Sequence, residues 1–174
     1  MSVTTPTDAA SVPRIRPALA ADAAAVGAIR AAAIAESTGL WTDHRPTPAE
    51  SAAWAQGHRE RGTMLVAEDP GGDVLGYATI SPLRDYSGYS RTGEVSIYLA
   101  PSAQGRGIGR RLLTALVALG QEQGWHSLQG WIEAGNAASI ALHERCGFTE
   151  VARIPESGFK FGRWWDLVIL HRLL

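Results

Sequence analysis

The residues best suited to chemistry lie in the segment Gln104–Arg110, in which three glycines alternate with Arg106, Ile108 and Arg110. Residues 94–99 before it alternate as in a strand, and the apolar residues after it recur at helical spacing. The segment is therefore predicted to be the turn that leads into a helix. A helix start carries free N–H groups and a partial positive charge, and glycines let a ligand approach the backbone closely. Together with the arginines, this predicts a site for a phosphate or pyrophosphate.

The spacing of these glycines distinguishes between phosphate ligands. A nucleotide-binding P-loop would need Gly-x-x-x-x-Gly-Lys-Ser/Thr, and the chain has no Lys-Ser or Lys-Thr pair. A dinucleotide fingerprint, Gly-x-Gly-x-x-Gly, would need its third glycine one residue later than Gly109. The segment instead resembles the pyrophosphate loop Gln-x-x-Gly-x-Gly/Ala of the GNAT family of N-acetyltransferases. The resemblance implies acetyl-CoA as co-substrate, held by Gln104, Gly105, Arg106, Gly107, Ile108, Gly109 and Arg110.

Four segments narrow this resemblance to one branch of the family. Residues 84–89, 94–99, 136–148 and 159–166 are similar to the phosphinothricin and methionine sulfone N-acetyltransferases. The resemblance implies direct transfer of the acetyl group of acetyl-CoA to the α-amine of a small amino-acid-like acceptor, such as phosphinothricin, methionine sulfone, methionine sulfoximine or a related amino acid. Two alternatives stay open: acetylation of a protein N-terminus or lysine, and a non-catalytic acyl-CoA-binding module.

Such a reaction needs an unprotonated amine, and Glu94 is the candidate general base. An α-amine with a pKa of about 8 is mostly protonated at neutral pH. A carboxylate beside it can accept the proton, directly or through water, and a positioned base contributes roughly 10²- to 10⁴-fold in rate. On its strand, Glu94 shares a face with Ser96 and Tyr98. A glutamate within a sheet is costly to bury unless it is used, and the alternative is an exposed glutamate at a strand edge.

The resemblance also assigns residues to the coenzyme arm. It implies that the backbone amides of Ile97–Leu99 hold pantetheine and polarise the thioester carbonyl. On the later helix, His143 stands where many relatives have a tyrosine. Because histidine can donate a proton near neutrality, His143 either protonates the departing thiolate or only hydrogen-bonds the coenzyme or a neighbour. Asn136, the expected helix cap, and Ser139 lie three apart on one helix face, which the resemblance places along the same arm.

Acceptor recognition is expected from the loop at residues 84–89 and from the late aromatic segment. Arg84 and Lys160 can bind a carboxylate, arginine with two parallel hydrogen bonds. For Arg84 the alternative is a solvated loop charge. The side-chain pocket of the acceptor is expected to be walled by three aromatic residues: Trp41, Tyr89 and Phe159.

The elements that must position these residues follow in the order β-α-α-β-β-β-α-β-α-β-β. Hairpins come first and strand–helix–strand units later, which predicts an α+β layer fold. The resemblance implies the GNAT acyl-CoA N-acyltransferase fold, a central mixed, mostly antiparallel twisted sheet of about seven strands flanked by about four helices. Asp22 is expected to cap the first helix, and Thr47 with Glu50 to form a capping box for the second. The last strands are expected over Thr149–Ile154 and Asp166–Leu173.

Composition sets the remaining expectations. The 174 residues, 45% of them apolar, fit one domain, expected over residues 14–174 behind a flexible tail at residues 1–13 that lacks the pattern of a signal peptide. The net charge of −1 and the pI of about 6.5 argue against a nucleic-acid or membrane surface. The single cysteine, Cys146, excludes an internal disulfide and a multi-thiolate metal site, and suits the cytoplasm. No metal is expected, and the resemblance implies a homodimer.

Overall fold

A computed structural model describes residues 12–174, so most of the expected tail at residues 1–13 lies outside the described residues. The strands are β1 Arg14–Pro17, β2 Met64–Glu68, β3 Val74–Pro82, β4 Thr92–Leu99, β5 Ser127–Glu133, β6 Thr149–Lys160 and β7 Arg163–Leu173. The helices are α1 Ala23–Glu36, α2 Pro48–Glu60, α3 Ile108–Glu122 and α4 Ala137–Arg145. Within the described range, none of these helices combines the length and the apolar character that crossing a membrane requires.

All seven strands form one sheet in the order β1-β2-β3-β4-β5-β7-β6. Neighbouring strands are antiparallel, except for the parallel pair of β4 and β5. The sheet is open, with β1 at one edge and β6 at the other. This arrangement confirms the predicted α+β class, with a mixed, mostly antiparallel sheet of seven strands and four helices.

Alternate side chains of the sheet enter two separate cores. On one face, Val95 of β4 packs in the larger core with the apolar side of α3 and with Leu142 of α4. On the other face, Tyr77 of β3 packs with Val26 of α1 and Ala55 of α2. The helices α3 and α4 therefore lie on one side of the sheet, and α1 and α2 lie on the other.

The parallel strands β4 and β5 separate part-way along their length. Their pairing covers four residue pairs and ends at Val95 opposite Gly130. Beyond that point β4 continues to Leu99 and β5 to Glu133, and both continuing stretches line a cleft. Because backbone N–H and C=O groups need partners, the separation leaves the β5-facing groups of β4 available to a ligand.

The two closing strands are longer than the sequence predicts. The predicted strand ends at Ile154, but β6 passes through a register shift between Ile154 and Gly158 and continues to Lys160. In this bulge, Glu156 has a φ of 48°, and its backbone N–H donates to the carboxylate of Asp166. The aromatic and basic segment is therefore part of a β-hairpin rather than a loop between two shorter strands.

The two predicted helix caps have different outcomes. The capping box is confirmed, because Thr47 accepts from the Glu50 N–H and Glu50 accepts from the Thr47 N–H. The prediction for Asp22 is wrong, because its side chain makes no cap hydrogen bond to α1. The buried Asp22 carboxylate instead accepts from the Arg16 guanidinium at 2.7 and 3.0 Å and from the Leu19 N–H at 2.7 Å. The bidentate pair with arginine uses both carboxylate oxygens.

Candidate active site

The glycine segment forms one border of the cleft and begins α3. Gly107 is the N-cap residue of α3 with a φ of 74°, and Gly105 has a φ of 72°. Both values lie in the left-handed region that favours glycine. A Cβ added at either position would meet no described atom within 4 Å, so the backbone faces open space. The free N–H groups at the start of α3 are thus accessible to an anion.

Six parts of the chain line this cleft, which has a volume of about 1180 Å³. They are the end of α1 with the segment after it, β4, the glycine segment with the start of α3, the end of β5, α4, and Leu167 of β7. The cleft brings together thirteen of the predicted site residues: Trp41, Glu94, Ile97, Tyr98, Leu99, Gln104, Gly105, Gly107, Gly109, Arg110, Asn136, Ser139 and His143. Six others are placed elsewhere: Arg84, Tyr89, Arg106, Ile108, Phe159 and Lys160.

Glu94 lies in the cleft on the face of β4 that also carries Ser96 and Tyr98. Burial raises the pKa of its carboxyl, because a charged carboxylate is poorly solvated there. Burial also raises the pKa of the Tyr98 phenol, and the nearby Glu94 adds to that shift. The Tyr98 hydroxyl donates to the carbonyl of Gly39 at 2.9 Å, which keeps it protonated and fixed. A carboxyl with a raised pKa binds a proton more strongly than an exposed one, which suits a proton acceptor.

His143 is 4% exposed and lies with one ring edge against Gly130 of β5. Its Nδ1 is 2.8 Å from the carbonyl oxygen of Ser139, and a carbonyl can only accept, so Nδ1 carries the hydrogen. Burial lowers the pKa of the imidazole, and the hydrogen bond to Ser139 opposes this in part. The buried Nε2 has no hydrogen-bond partner within residues 12–174. In this neutral tautomer, Nε2 carries an unpaired lone pair and has no proton to give.

Asn136 and Trp41 border the cleft on opposite sides of the sheet. The side-chain oxygen of Asn136 accepts from the Ser139 N–H at 3.0 Å, which confirms the predicted cap of α4. The Trp41 ring lies directly against Gly158 of β6, where an added Cβ would overlap the ring. The buried indole N–H of Trp41 has no acceptor among the described residues, which leaves an unpaired hydrogen-bond donor on a residue that lines the cleft.

Lys160 does not reach the cleft. It is 1% exposed, and its Nζ donates to the backbone carbonyls of Ile34, Ser37 and Leu40 at 2.7, 2.7 and 2.6 Å. An ammonium group has three N–H bonds, and all three are used. The structure therefore corrects the expectation that Lys160 binds a substrate carboxylate.

The other residues outside the cleft fall into two groups. Ile108 is buried in the larger core beneath α3, whereas Arg106 is exposed. Arg84, Tyr89 and Phe159 are also exposed, and the Phe159 ring packs edge-on against Trp164. These three side chains do not line the cleft as the structure places them.

The cleft also contains charged residues that the sequence analysis missed. Glu36 ends α1, and Glu133 ends β5, where its carboxylate accepts from the Thr38 hydroxyl at 3.3 Å and from the Gly135 N–H at 2.5 Å. Arg145 ends α4 in the same cleft. One signal was available for Arg145, because it follows Ser139 and Leu142 at steps of three on the helix face already assigned to the coenzyme.

Comparisons with known proteins agree with this architecture. The profile of the Acetyltransferase (GNAT) family matches residues 27–148. The chain is 40% identical over 133 residues to an L-methionine sulfoximine/L-methionine sulfone acetyltransferase of Pseudomonas paraeruginosa, covering 76% of this chain and 77% of that protein. It is 40% identical over 131 residues to a phosphinothricin N-acetyltransferase of Streptomyces coelicolor, covering 74% and 77%.

A solved structure extends the agreement to the whole fold. The GNAT superfamily phosphinothricin acetyltransferase of Sinorhizobium meliloti, in complex with acetyl-CoA, superposes with a TM-score of 0.90 at 33% identity. The match covers 94% of this chain and 89% of that one. With the family profile matching more than half of the chain, these findings show that the chain belongs to the GNAT family of acetyltransferases.

Proposed function

We propose that the chain transfers the acetyl group of acetyl-CoA directly to the α-amine of a small amino-acid-like acceptor. Methionine sulfone, methionine sulfoximine and phosphinothricin are the first acceptors to test, because relatives at 40% identity bear those names. The observation that carries the proposal is that one cleft contains both the open glycine segment and the half-buried Glu94. An anion site and a proton acceptor in one cavity are what this reaction requires.

Acetyl-CoA supplies the acetyl group as a thioester, and the residues on the α3 and α4 side of the cleft fit it. The N–H groups at Gly105 and Gly107, with Arg110, face the position proposed for the pyrophosphate. The separated edge of β4 at Ile97–Leu99 offers backbone groups to the pantetheine arm. Asn136 and Ser139 border the same path on α4.

Glu94 is the proposed general base. An incoming ammonium must lose a proton before its nitrogen can form a bond to the acetyl carbon. The half-buried carboxylate of Glu94 accepts that proton, directly or through one water. Because burial raises its pKa, Glu94 holds a proton more firmly than an exposed carboxyl would, which brings its pKa closer to that of the amine.

The proposed role of His143 is to accept a hydrogen bond. In its neutral tautomer, Nε2 can receive an N–H or O–H of the coenzyme, but it cannot protonate the departing thiolate. Of the two roles left open by the sequence, the geometry therefore favours hydrogen bonding over general-acid catalysis.

The acceptor is proposed to bind beside the segment Ser37–Trp41. Trp41 gives an apolar face and a buried, unpaired indole N–H. Donation from this N–H to an oxygen of a sulfone, sulfoximine or phosphinyl group requires a shift of the ring that exposes it. Glu94 and Glu133 give this end of the cleft an acidic lining that attracts an ammonium. Arg84, Tyr89 and Phe159 remain candidate acceptor contacts.

A panel of amines tests the proposal. Purified protein is incubated with acetyl-CoA and with methionine sulfone, methionine sulfoximine, phosphinothricin and the common amino acids, and free thiol is followed. We expect thiol release with at least one small α-amine. A protein N-terminal peptide that outcompetes every amino acid would identify a protein acetyltransferase instead. Tight acetyl-CoA binding with no thiol release from any amine would identify a binding module.

A further inference from the structure

The chain contains 16 lysines and arginines, and Lys160 is its single lysine. This lysine lies at the end of β6 and is 1% exposed. Lysine is almost never fully buried unless its ammonium group is paired. The other 15 of these residues are arginines. A buried lysine in such a chain indicates a position where an ammonium group fits and a guanidinium does not.

The three acceptors of Lys160 lie at and just beyond the end of α1. They are the carbonyls of Ile34, Ser37 and Leu40, at 2.6 to 2.7 Å from Nζ. Carbonyls at the end of a helix lack partners within the helix and carry partial negative charge. Lys160 therefore acts as a C-terminal cap for α1 that is supplied from a strand more than a hundred residues later in the chain.

An arginine cannot reproduce this cap. The ammonium group is compact and directs its three N–H bonds away from a single atom, so it can bind three carbonyls arranged around it. A guanidinium is planar, larger and directs its five N–H bonds within one plane. This difference gives a physical reason for the single lysine.

The capped segment is one wall of the cleft. Residues Ser37–Trp41, which we call the acceptor wall, all line it. Two hydrogen bonds also join this wall to the strands across the cleft. The Tyr98 hydroxyl of β4 donates to the Gly39 carbonyl, and the Thr38 hydroxyl donates to the Glu133 carboxylate of β5. At its end, the Trp41 ring lies against Gly158, two residues before Lys160 on the same strand.

We propose that Lys160 is a positioning residue for the acceptor: it sets the acceptor wall by binding three backbone carbonyls and does not itself touch the substrate. Strand β6 contacts the wall in two places: Lys160 binds its backbone carbonyls, and Gly158 packs against the Trp41 ring. The proposal rests on the proposed function only in taking the bound molecule to be the amine acceptor.

Kinetics of three variants test this role. Lys160→Met keeps the length of the side chain and removes the donors, Lys160→Arg keeps the charge, and Arg153→Met removes an exposed cation from the same strand as a matched control. Because a displacement of about 1 Å near a reacting group can cost about 10²-fold, we expect Lys160→Met to lower kcat/KM for the amine by about 10- to 100-fold. The loss should appear mainly in KM, with the acetyl-CoA Kd nearly unchanged. Lys160→Arg should not restore it, and Arg153→Met should match the wild type.

Hydrogen exchange gives a readout that needs no turnover. We expect faster exchange over residues 34–41 in Lys160→Met than in Arg153→Met, because the carbonyls of the wall lose their anchor. An unchanged exchange rate together with an unchanged KM would overturn the proposal. If the wild type acetylates no amine, the proposed function fails, but the exchange comparison still decides the role of Lys160.

Labelling of the wild type covers the case in which Lys160→Met does not fold. Acetic anhydride acetylates lysine side chains, and the chain has no lysine other than Lys160. Mass spectrometry of the one peptide that contains Lys160 therefore measures its rate of modification. We expect modification at least about 100-fold slower in native than in urea-unfolded protein, and slower still with a bound acceptor, since a filled cleft holds the wall in place. Rates that match those of the unfolded chain, or that ignore the acceptor, would overturn the proposal.

Discussion

At the scale of single residues, burial favours the uncharged form of both titratable groups assigned to the chemistry. It raises the pKa of the Glu94 carboxyl and lowers the pKa of the His143 imidazole. Both groups lie in one cleft, and in each case the loss of water around the group on burial causes the shift in pKa. Such opposed shifts in one cavity are typical of sites that handle protons.

The first prediction concerns the rate. Glu94→Gln should lower kcat/KM for the amine by about 10²-fold or more, because the proton acceptor is lost. In the wild type, kcat/KM should rise with pH through the raised pKa of Glu94, and this rise should disappear in the variant. Steady-state thiol release between pH 5 and 9 measures both effects. Glu144→Gln, an exposed change on α4, is the control, and equal activity in the two variants would rule out Glu94 as the base.

The second prediction concerns stability. The folded state binds the Glu94 proton more tightly than the unfolded state does, so this group's contribution to stability is present at low pH and is lost as the pH rises through the raised folded pKa. Glutamine has no such dependence. We therefore expect Glu94→Gln to melt at a higher temperature than the wild type at pH 8 and to lose this advantage at low pH. Calorimetry at the two pH values measures the difference, and a variant less stable at pH 8 would contradict the burial argument.

Single residues also show where sequence reasoning stops. The glycine segment could be identified because its motif consists of adjacent residues. Glu94 could be identified because the alternation of side chains along its strand shows which face it lies on. Lys160 could not be placed, because its acceptors, such as Ile34, lie 126 residues or nearly as far away in the chain and meet it only in the folded structure. Asp22 was misplaced for a different reason, because its carboxylate binds the nearby Arg16, which precedes it on β1, instead of the first turn of α1. Charged groups take the best partner that the tertiary structure offers.

At the scale of elements, β5 and α4 set the position of His143. Gly130 has no side chain, and a Cβ there would lie 2.7 Å from His143 Cδ2 and 2.8 Å from Nε2. The close contact of strand and helix depends on this glycine.

The third prediction is that Gly130→Ala displaces His143. Overpacking typically costs about 1–3 kcal/mol, so the melting temperature should fall, and acetyl-CoA should bind more weakly because the imidazole no longer lies in its place. Calorimetry and titration with acetyl-CoA measure these effects. Gly57→Ala in α2 is the matched control, because its Cβ would approach only the flexible end of Arg61. An unaffected acetyl-CoA Kd in Gly130→Ala would contradict the assigned position of His143.

The elements themselves were largely predictable, since apolar periodicity and turn residues mark their interiors and ends. The capping box at Thr47 and the start of α3 at Gly107 were located by such signals. The closing hairpin was not, because the β6 strand continues through a bulge in which Glu156 adopts a positive φ. Pairing with β7 stabilises that strand, and pairing is not visible in local sequence.

At the scale of the whole molecule, the outer surface of the closing hairpin is unusually apolar. Large side chains there are 41 to 58% exposed: Val151, Ile154, Phe159, Phe161 and Trp164. Because β6 is also an edge strand, its free backbone groups add to this surface. Large exposed apolar residues grouped on one hairpin, two of them the packed pair Phe159 and Trp164, are typical of protein interfaces.

The fourth prediction is therefore a homodimer formed through this hairpin. Light scattering after size exclusion should give twice the chain mass of 18.5 kDa. Trp164→Glu should shift the mass toward one chain, because burying the introduced carboxylate in an apolar interface is costly. Arg153→Met, on the same strand, should remain dimeric. A wild type that elutes as a single chain at every concentration would rule out the dimer.

The separation of β4 from β5 has a consequence for the lifetime of the protein. Among residues 12–174, only four residue pairs join the half-sheet β1–β4 to the half-sheet β5–β7 through strand pairing. A molecule that hydrogen-bonds both half-sheets would replace the backbone pairing that is missing between β4 and β5. Ligands that bind only the folded state stabilise it by mass action. We expect the protein without acetyl-CoA to open first along this seam and to be cut there by proteases. The cellular supply of the acetyl donor would then regulate how long each copy survives.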